Sequence, residues 1–272
     1  MKKYVLFLLI FLWSCTGLFF YPDKRQYINP NLVGYKREDV FFKSLDGIKL
    51  HGWLFPSESN KGTVIFLHGN AENIGTHVNS VLWFIDRGYN VFAFDYRGYG
   101  KSEGYPTVSG IHIDAESAIK FVLERSELSK NIILFGQSLG GAVAITTLAN
   151  SSFKNNVKCL IVESTFSSYR GVAKDKIEKN FFTKIFGYPL VYLINDYYSP
   201  EKFVKMVSPV PIIILHGKED KIVESYHSKI LYEKALEPKM IILKEDAKHI
   251  NVSRYRDVRE KILIFLNDIK GH

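Results

Sequence analysis

The sequence predicts an α/β protein with a mostly parallel central sheet, helices on both faces of the sheet and an antiparallel hairpin at its start. Three observations predict this class. Short apolar runs alternate with longer helical segments, the middle runs are apolar throughout, and an Asp-Gly turn separates two earlier strand-like segments. Alternating strands and helices are typical of parallel sheets whose strands are buried on both sides.

The hairpin is predicted from two segments, Val40–Leu45 and Ile48–Phe55, that flank Asp46-Gly47. Asp-Gly between strand-like segments is a strong signal for a tight turn. In the second segment, apolar or small residues alternate with larger ones from Ile48 onward, as expected when one face of a strand packs on a core. We therefore expect two antiparallel strands here.

The remaining strands and helices follow from apolar runs and periodicity. The predicted strands are Thr63–Leu67, Val91–Asp95, Asn131–Phe135, Val157–Val162, Pro211–Leu215 and Lys239–Leu243. The predicted helices lie at 74–87, 109–126, 139–150, 225–236 and 252–269. In the last of these, apolar residues recur from Val258 to Ile269 at helical spacing.

Residues 165–209 interrupt this alternation. They separate two predicted strands where a short helix would suffice, and they are rich in aromatic side chains: Phe166, Tyr169, Phe181, Phe182, Phe186, Tyr188, Tyr192, Tyr197 and Tyr198. Long insertions of this kind are often lids or binding surfaces. We expect a small helical cap inserted into a domain that spans residues 38–272.

Composition limits the classes of protein to consider. The 272 residues are 46% hydrophobic and 24% charged, which is ordinary for a globular domain with a large core. The formal net charge is +8, but the chain has no long run of Lys or Arg and no nucleic-acid-binding motif, so we expect no nucleic-acid partner. Cys159 lies in an apolar run and is expected to be a buried, inert thiol.

The first 21 residues predict attachment to a membrane. Lys2 and Lys3 precede an apolar run from Tyr4 to Leu12, and Leu12-Trp13-Ser14-Cys15 resembles a bacterial lipobox, in which the Cys is lipidated. The alternative is an uncleaved anchor, because apolar residues resume after Cys15 and Tyr4–Tyr21 is long enough for a marginal span. Both interpretations place the protein in the cell envelope with its domain outside the cytoplasm. Residues 22–37 are expected to be a linker or an ordered arm.

Ser138 is the candidate nucleophile. Gly136-Gln137-Ser138-Leu139-Gly140 has the pattern G-x-S-x-G, directly after an apolar strand and before a helix of small residues. A serine in this context lies on a sharp, strained turn that exposes its hydroxyl. Its position at a helix N-terminus favours developing negative charge.

A serine hydroxyl needs a base, and His249 is the candidate. It lies in a polar loop between the last predicted strand and the last predicted helix, past a strand end. Three other histidines follow Ser138. His272 is terminal, His227 is expected at the surface of a helix, and His216 ends a strand and is expected to be a packed structural residue.

The base needs an orienting acid, and Asp220 is the candidate because it follows the strand 211–215. Glu163, at the end of the strand 157–162, is the second position to consider. Asp246 is near His249 in sequence and is expected to be solvated. In this pattern the chain order is Ser, then acid, then His, which both candidates satisfy.

An oxyanion hole needs two backbone N–H donors. Leu139, immediately after the nucleophile, supplies one. The loop His68-Gly69-Asn70-Ala71 after an early strand is expected to supply the other from Asn70 or Ala71, with Asn70 preferred.

Together these residues resemble the α/β-hydrolase superfamily, and most closely its serine-aminopeptidase-like branch, which includes membrane-associated depalmitoylases and bacterial envelope hydrolases. The resemblance extends over most of the chain beyond residue 38. The matching stretches are 46–50, 68–71, 95–102, 136–140, 216–220 and His249.

The resemblance implies acyl transfer through Ser138, His249 and Asp220, with the amides of Leu139 and Asn70 stabilising the oxyanion and no metal or cofactor required. We expect a small acyl ester, a thioester or a lipid-like molecule as substrate. A peptidase that removes N-terminal residues and a non-catalytic envelope interaction protein are the alternatives. The sequence leaves the natural substrate and the oligomeric state open.

Overall fold

The computed structural model describes residues 19–27, 32–178 and 191–269. Two β-sheets are present in this part of the chain. The ten strands are β1 (Tyr21–Pro22), β2 (Glu38–Lys43), β3 (Lys49–Phe55), β4 (Thr63–Leu67), β5 (Ala71–Glu72), β6 (Asn90–Asp95), β7 (Ile132–Gln137), β8 (Val157–Glu163), β9 (Ile212–Gly217) and β10 (Lys239–Lys244).

The main sheet has eight strands in the order β10-β9-β8-β7-β4-β6-β3-β2. The strands from β10 to β6 pair in parallel, whereas β3 pairs antiparallel with both β6 and β2. The predicted hairpin is confirmed, with the turn at Gly47 in a left-handed conformation, φ +90°. The predicted mostly parallel sheet is also confirmed.

The helices of the described residues are α1 (Ile74–His77), α2 (Val108–Glu124), α3 (Leu139–Asn150), α4 (Tyr169–Glu178), α5 (Tyr226–Lys234) and α6 (Arg256–Asp268). The single helix predicted over 74–87 is wrong. The segment forms the short α1 followed by two 3₁₀ helices, Val78–Ser80 and Leu82–Arg87. Asn73 caps α1 through its side chain, and Ile74 N–H donates to the Asp95 carboxylate, so the start of the segment is held by the sheet.

Side chains on alternate positions of the strands enter two separate cores. Ile65 and Leu134 pack on one face with α2 and α3, whereas Phe66 and Phe135 pack on the other with α6. This alternation follows from the two-residue period of a strand. Because both faces are covered, the middle strands are apolar throughout, and each fully buried Leu or Phe contributes roughly 1.5–3 kcal/mol.

Between β8 and β9 the described residues form α4 and the 3₁₀ helices Pro200–Lys202 and Val204–Val207. This is the region predicted as a helical cap. Its predicted aromatic residues Phe181, Phe182, Phe186 and Tyr188 lie outside the described residues.

The start of the described chain is an ordered arm on the domain. Strand β1 pairs in parallel with β5, and Asp23 O accepts a hydrogen bond from Gly100 N, 3.0 Å. Phe19 and Phe20 are buried in the core that contains α2 and α3. Cys15 lies outside the described residues, and within them no helix is long and apolar enough to cross a membrane.

Candidate active site

The candidate residues lie at one edge of the sheet. Ser138 follows β7, the His68–Asn70 loop follows β4, Asp220 follows β9, and His249 follows β10. Strands β7 and β4 are neighbours, although β7 comes after β6 in the chain. In open parallel sheets, ligands bind at the carboxyl ends of the strands where the strand order reverses, and this is where Ser138 lies.

Ser138 has a strained backbone. Its φ is +52° and its ψ is −116°, a conformation that L-amino acids rarely adopt. The main chain holds it there: Ser138 N donates to Glu163 O over 2.9 Å, and Ser138 O accepts from Gly141 N over 3.1 Å. Non-glycine residues in such conformations cluster at functional sites, because the surrounding structure must offset the strain.

Two glycines permit this turn. A Cβ atom on Gly140 would lie 2.0 Å from the carbonyl oxygen of Leu67, and one on Gly136 would lie 2.4 Å from the carbonyl oxygen of Gly140. These contacts are with backbone atoms, which cannot move aside as a flexible side chain could. The glycines of the G-x-S-x-G pattern are therefore required by the close approach of β4 and α3 to the turn.

The loop after β4 is oriented by His68. Its ring Nδ1 donates to Gly69 O over 2.7 Å. The C=O and N–H groups of a trans peptide point in opposite directions, so this bond also fixes the direction of the Asn70 N–H. Asn70 O accepts from Tyr21 N and from the Tyr99 hydroxyl, each over 2.9 Å. Burial lowers the pKa of His68 to about 4, so the ring is neutral at pH 7.

Ser138, Leu139 and Asn70 line one cavity of about 40 Å³. The other side chains that line it are Phe19, Phe166, Val172, Lys176, Ile222 and Val223. A much larger cavity, of about 680 Å³, is lined by residues such as Asn131, Val157 and Pro211 at the opposite ends of the strands. The smaller cavity is the candidate site because it contains the strained serine and both predicted oxyanion donors.

Asp220 and His249 form a hydrogen-bonded pair. His249 Nδ1 lies 2.7 Å from Asp220 Oδ2, and the other oxygen of Asp220 accepts from the backbone N–H groups of Ile222 and Val223. The side chain of Asp220 is fully buried, whereas that of His249 is 14% exposed. The pair thus points one imidazole nitrogen at a fixed carboxylate and leaves Nε2 for other contacts.

The electrostatics of the pair favour an ionised acid. Burial alone would raise the pKa of Asp220, but hydrogen bonds from His216 and His249 outweigh it and hold the pKa well below its usual range. His216 Nε2–H is shared between Val223 O at 2.9 Å and Asp220 Oδ2 at 3.3 Å. A carboxylate in this setting holds the imidazole in one tautomer and stabilises its protonated form.

The structure does not join Ser138 to His249 by a hydrogen bond. Among the described residues, the Ser138 hydroxyl and His249 Nε2 have no hydrogen-bond partner. The two loops are nevertheless linked, because Ile250 N donates to Ser164 Oγ over 3.1 Å and Ser138 N donates to Glu163 O. In unliganded enzymes, catalytic hydrogen bonds are often long and shorten when substrate binds.

Glu163 is engaged elsewhere. Its buried carboxylate accepts from Gln137 Nε2 over 2.6 Å, from Ser253 N over 2.9 Å and from Ser253 Oγ over 2.9 Å. These bonds fasten the chain that follows His249 to the end of β8. Glu163 therefore supports the His249 loop without contacting the imidazole.

The remaining histidines differ in their outcomes. His216 is buried and bonded at both nitrogens, which confirms the prediction of a packed residue. The prediction that His227 lies at the surface is wrong. His227 is fully buried between α5 and α4, where its Nδ1 accepts from Ser167 and its Nε2 lies 2.9 Å from Asp175 Oδ2. Helical periodicity did not show that α4 covers this face of α5.

Two residues near Ser138 were missed in the sequence. The first is His77, on α1, which lies on the same side of Gly69 as Ser138. A Cβ atom added to Gly69 would lie 3.2 Å from the His77 ring and 3.7 Å from Ser138 Cβ. Burial lowers the pKa of His77 most, and the neighbouring His249 lowers it further. Phe19 lines the cavity itself. Its only signal in the sequence is an apolar pair, Phe19-Phe20, close to the leader. From the sequence, this pair is assigned to the membrane anchor.

Two further observations concern ligands and thiols. Within residues 19–27, 32–178 and 191–269, no three His, Cys, Asp or Glu side chains are grouped as metal ligands would be. Cys159 is buried, and burial raises its pKa well above the usual range, so this thiol is inert.

Comparison with known proteins shows the family. The family described as serine aminopeptidase, S33, matches residues 58–187. The uncharacterized protein YfhR of Escherichia coli K12 is 36% identical, covering 96% of this chain and 93% of its own. The α/β hydrolase domain-containing protein WAV2 of Arabidopsis thaliana is also 36% identical, covering 78% of this chain and 71% of its own.

A solved structure agrees in fold. An esterase of Pyrococcus furiosus superposes with a TM-score of 0.73 at 23% identity, covering 91% of this chain and 96% of its own. At this identity the likeness concerns the fold alone. With the relatives above, the chain belongs to the α/β-hydrolase superfamily, as its motifs predict.

Proposed function

We propose that this protein is a serine hydrolase that cleaves acyl esters or thioesters. The observation that carries the proposal is the strained Ser138 in one cavity with Asn70 and Leu139, beside loops that hold a hydrogen-bonded Asp220–His249 pair. Ser138 keeps φ at +52°, and its hydroxyl has no hydrogen-bond partner among the described residues. A nucleophile that must reach a substrate explains both features.

In the proposed reaction, His249 Nε2 takes the proton of the Ser138 hydroxyl as the oxygen attacks the acyl carbonyl carbon. Asp220 stabilises the imidazolium that forms. The N–H groups of Leu139 and Asn70 stabilise the oxyanion of the tetrahedral intermediate. His249 then protonates the leaving alcohol or thiol, and an acyl-Ser138 ester remains. Water, deprotonated by His249, attacks this ester, and His249 returns the proton to Ser138 Oγ as the carboxylic acid is released.

The lining of the cavity supports an acyl substrate over a peptide with a free N-terminus. The residues that line it are mostly apolar, and their charged member is the cation Lys176. An aminopeptidase needs a carboxylate to bind the substrate ammonium group, whereas Lys176 would repel that group. A peptidase remains the alternative to be tested, because the matching family is described as serine aminopeptidase, S33.

We also propose that the hydrolase domain of residues 38–272 is tethered to a membrane through the residues that precede Phe19, since Phe19 and Phe20 are buried in the domain core. The support is the basic start, the apolar run and Cys15 in a lipobox-like sequence. Metabolic labelling with an alkyne fatty acid should label the wild-type chain and not Cys15→Ser. A chain that fractionates with membranes without label would favour the uncleaved anchor.

The enzymatic proposal is tested on the full-length chain in detergent. The assay compares p-nitrophenyl esters and aminoacyl anilides for the wild type, Ser138→Ala and the control Ser167→Ala. We expect ester turnover that falls by at least ~10³-fold in Ser138→Ala and by less than about fivefold in the control. Turnover confined to anilides would replace the esterase with the peptidase. Ester turnover that does not depend on Ser138 would contradict the proposal.

A further inference from the structure

Phe19 lies in the cavity of the candidate nucleophile, although it belongs to the arm that precedes the hydrolase domain. Its side chain lines the cavity with Ser138, Leu139 and Asn70. Its ring packs edge-to-face on Tyr169, with ring centroids 5.1 Å apart, and Tyr169 in turn packs on Phe166. Phe19 is therefore part of the wall that an acyl chain would meet.

The arm that carries Phe19 is bonded to the oxyanion loop. Tyr21 N donates to Asn70 O over 2.9 Å, and Asp23 N donates to Glu72 O over 3.2 Å. These bonds set the position of the arm relative to Asn70. The first of them is made by Tyr21, only two residues after Phe19. The position of the Phe19 ring and the position of one oxyanion donor are thus fixed by the same short pairing.

With the ring in place, the cavity is small. Its volume of about 40 Å³ is far below the ~300–1,000 Å³ of pockets that bury drug-sized ligands. We therefore expect a short acyl group beside Ser138. A longer acyl chain would have to occupy the space that the Phe19 ring now fills.

We propose that Phe19 determines the length of the acyl group that the enzyme accepts, and that it restricts the site to short acyl groups. This proposal rests on the proposed function, because it assigns the substrate class of the same site. It makes Phe19, two residues before β1, a specificity-determining residue. The apolar lining around the ring, from Phe166, Val172 and Val223, would receive a longer chain once the ring is removed.

Phe20 provides a matched control. It is the adjacent residue of the same arm, it is the same amino acid, and it is buried in the same core. It does not line the cavity with Ser138. Replacing either ring removes a buried aromatic side chain and loosens the arm to a similar extent. Only the replacement of Phe19 enlarges the space beside the nucleophile.

The experiment measures kcat/KM of the full-length chain for p-nitrophenyl acetate, butyrate and octanoate. The wild type should prefer acetate. Phe19→Ala should raise the octanoate-to-acetate ratio by at least ~10-fold, since a few methylenes in an apolar pocket discriminate by this factor or more. Phe20→Ala should leave the ratio within about twofold. Phe19→Leu, a smaller change, should shift the preference toward butyrate and serves if Phe19→Ala does not fold.

The outcomes separate the two proposals. Ester turnover that is unchanged in Ser138→Ala would overturn the proposed function. Ser138-dependent turnover with equal ratios in Phe19→Ala, Phe20→Ala and the wild type would overturn the role of Phe19 alone. A wild type that prefers octanoate would overturn it as well. An increased ratio in the Phe19 variants and not in Phe20→Ala supports it.

Discussion

The molecule contains two groups of Ser, His and Asp, and they differ in how completely they are bonded. In the first, His249 is paired with Asp220 while the Ser138 hydroxyl has no partner among the described residues. In the second, Ser167 Oγ lies 2.8 Å from His227 Nδ1, and His227 Nε2 lies 2.9 Å from Asp175 Oδ2.

The second group has a fixed pattern of donors. Ser167 N donates to His227 Nδ1 over 3.1 Å, so that nitrogen must be the acceptor and Nε2–H must donate to Asp175. The Tyr226 hydroxyl donates to Asp175 as well. The group joins α4 to α5, and its imidazole is 1% exposed. We interpret it as a structural clamp.

The comparison shows that three suitable side chains in hydrogen-bond contact do not make an active site. The clamp has the better hydrogen bonds, yet its serine is already bonded and has no positive φ, whereas both serines are buried. The candidate site has a strained serine, a partly exposed imidazole and a cavity with two oxyanion donors. Unused hydrogen-bonding groups and backbone strain therefore distinguish the functional group from the structural one. A substrate can contact only those polar groups that the protein itself leaves unbonded.

The largest expected difference between the two groups is the loss of kcat when the aspartate of each is replaced. Asp220→Asn should lower kcat for p-nitrophenyl acetate by ~10³–10⁴-fold, because an amide can donate to Nδ1 and so favour the wrong tautomer of His249. Asp175→Asn should change kcat by less than about fivefold, since the clamp does not line the cavity. The measurement is steady-state kinetics on both full-length variants. Equal losses would show that the clamp takes part in the chemistry.

A smaller and opposite difference concerns stability. Ser167→Ala should lower the free energy of unfolding by about 0.5–1.5 kcal/mol, because it removes one buried hydrogen bond while the Ser167 N–H still donates to His227 Nδ1. Ser138→Ala should change it by less than about 0.5 kcal/mol, since the hydroxyl that it removes has no partner in the part of the chain that the structure describes. Urea unfolding followed by circular dichroism measures both. A larger loss in Ser138→Ala than in Ser167→Ala would reverse the assignment of structural and functional serine.

A third difference concerns the pH dependence of the free energy of unfolding. Burial lowers the pKa of His227, although Asp175 opposes this, and burial lowers the pKa of His112 to about 4. Because the unfolded chain then binds more protons than the folded chain, stability is fully present above pH ~6.5 and declines as pH falls toward about 4. His227→Gln should make this decline shallower, by up to about 1.4 kcal/mol per pH unit.

The pH prediction is checked by urea unfolding at intervals between pH 7 and about pH 5.3, a range in which ordinary carboxylates, with pKa values of about 3.9 and 4.3, stay mostly ionised. A matched control is His112→Gln, a buried histidine on α2 that is remote from the clamp and should flatten the curve in the same way. Slopes equal to that of the wild type in both variants would contradict the interpretation of these residues as buried, neutral imidazoles.

Much of this arrangement could be predicted from sequence because it depends on local patterns. An apolar strand, two glycines and a small-residue helix specify the turn at Ser138, and Asp220 and His249 follow strands whose ends must meet at one edge. His227 could not be predicted, because its burial depends on α4, which packs on α5 from a distant part of the chain. Phe19 was missed because an apolar pair beside an apolar leader gives no separate signal.

The most direct test of the central claim, that Ser138 is the nucleophile, is covalent labelling. The full-length chain is treated with a fluorophosphonate, which reacts with activated serines, and the adduct is located by peptide mass spectrometry. We expect the adduct on the peptide that contains Ser138, its loss in Ser138→Ala and its persistence in Ser167→Ala. An adduct on Ser167, or labelling that survives Ser138→Ala, would contradict the claim.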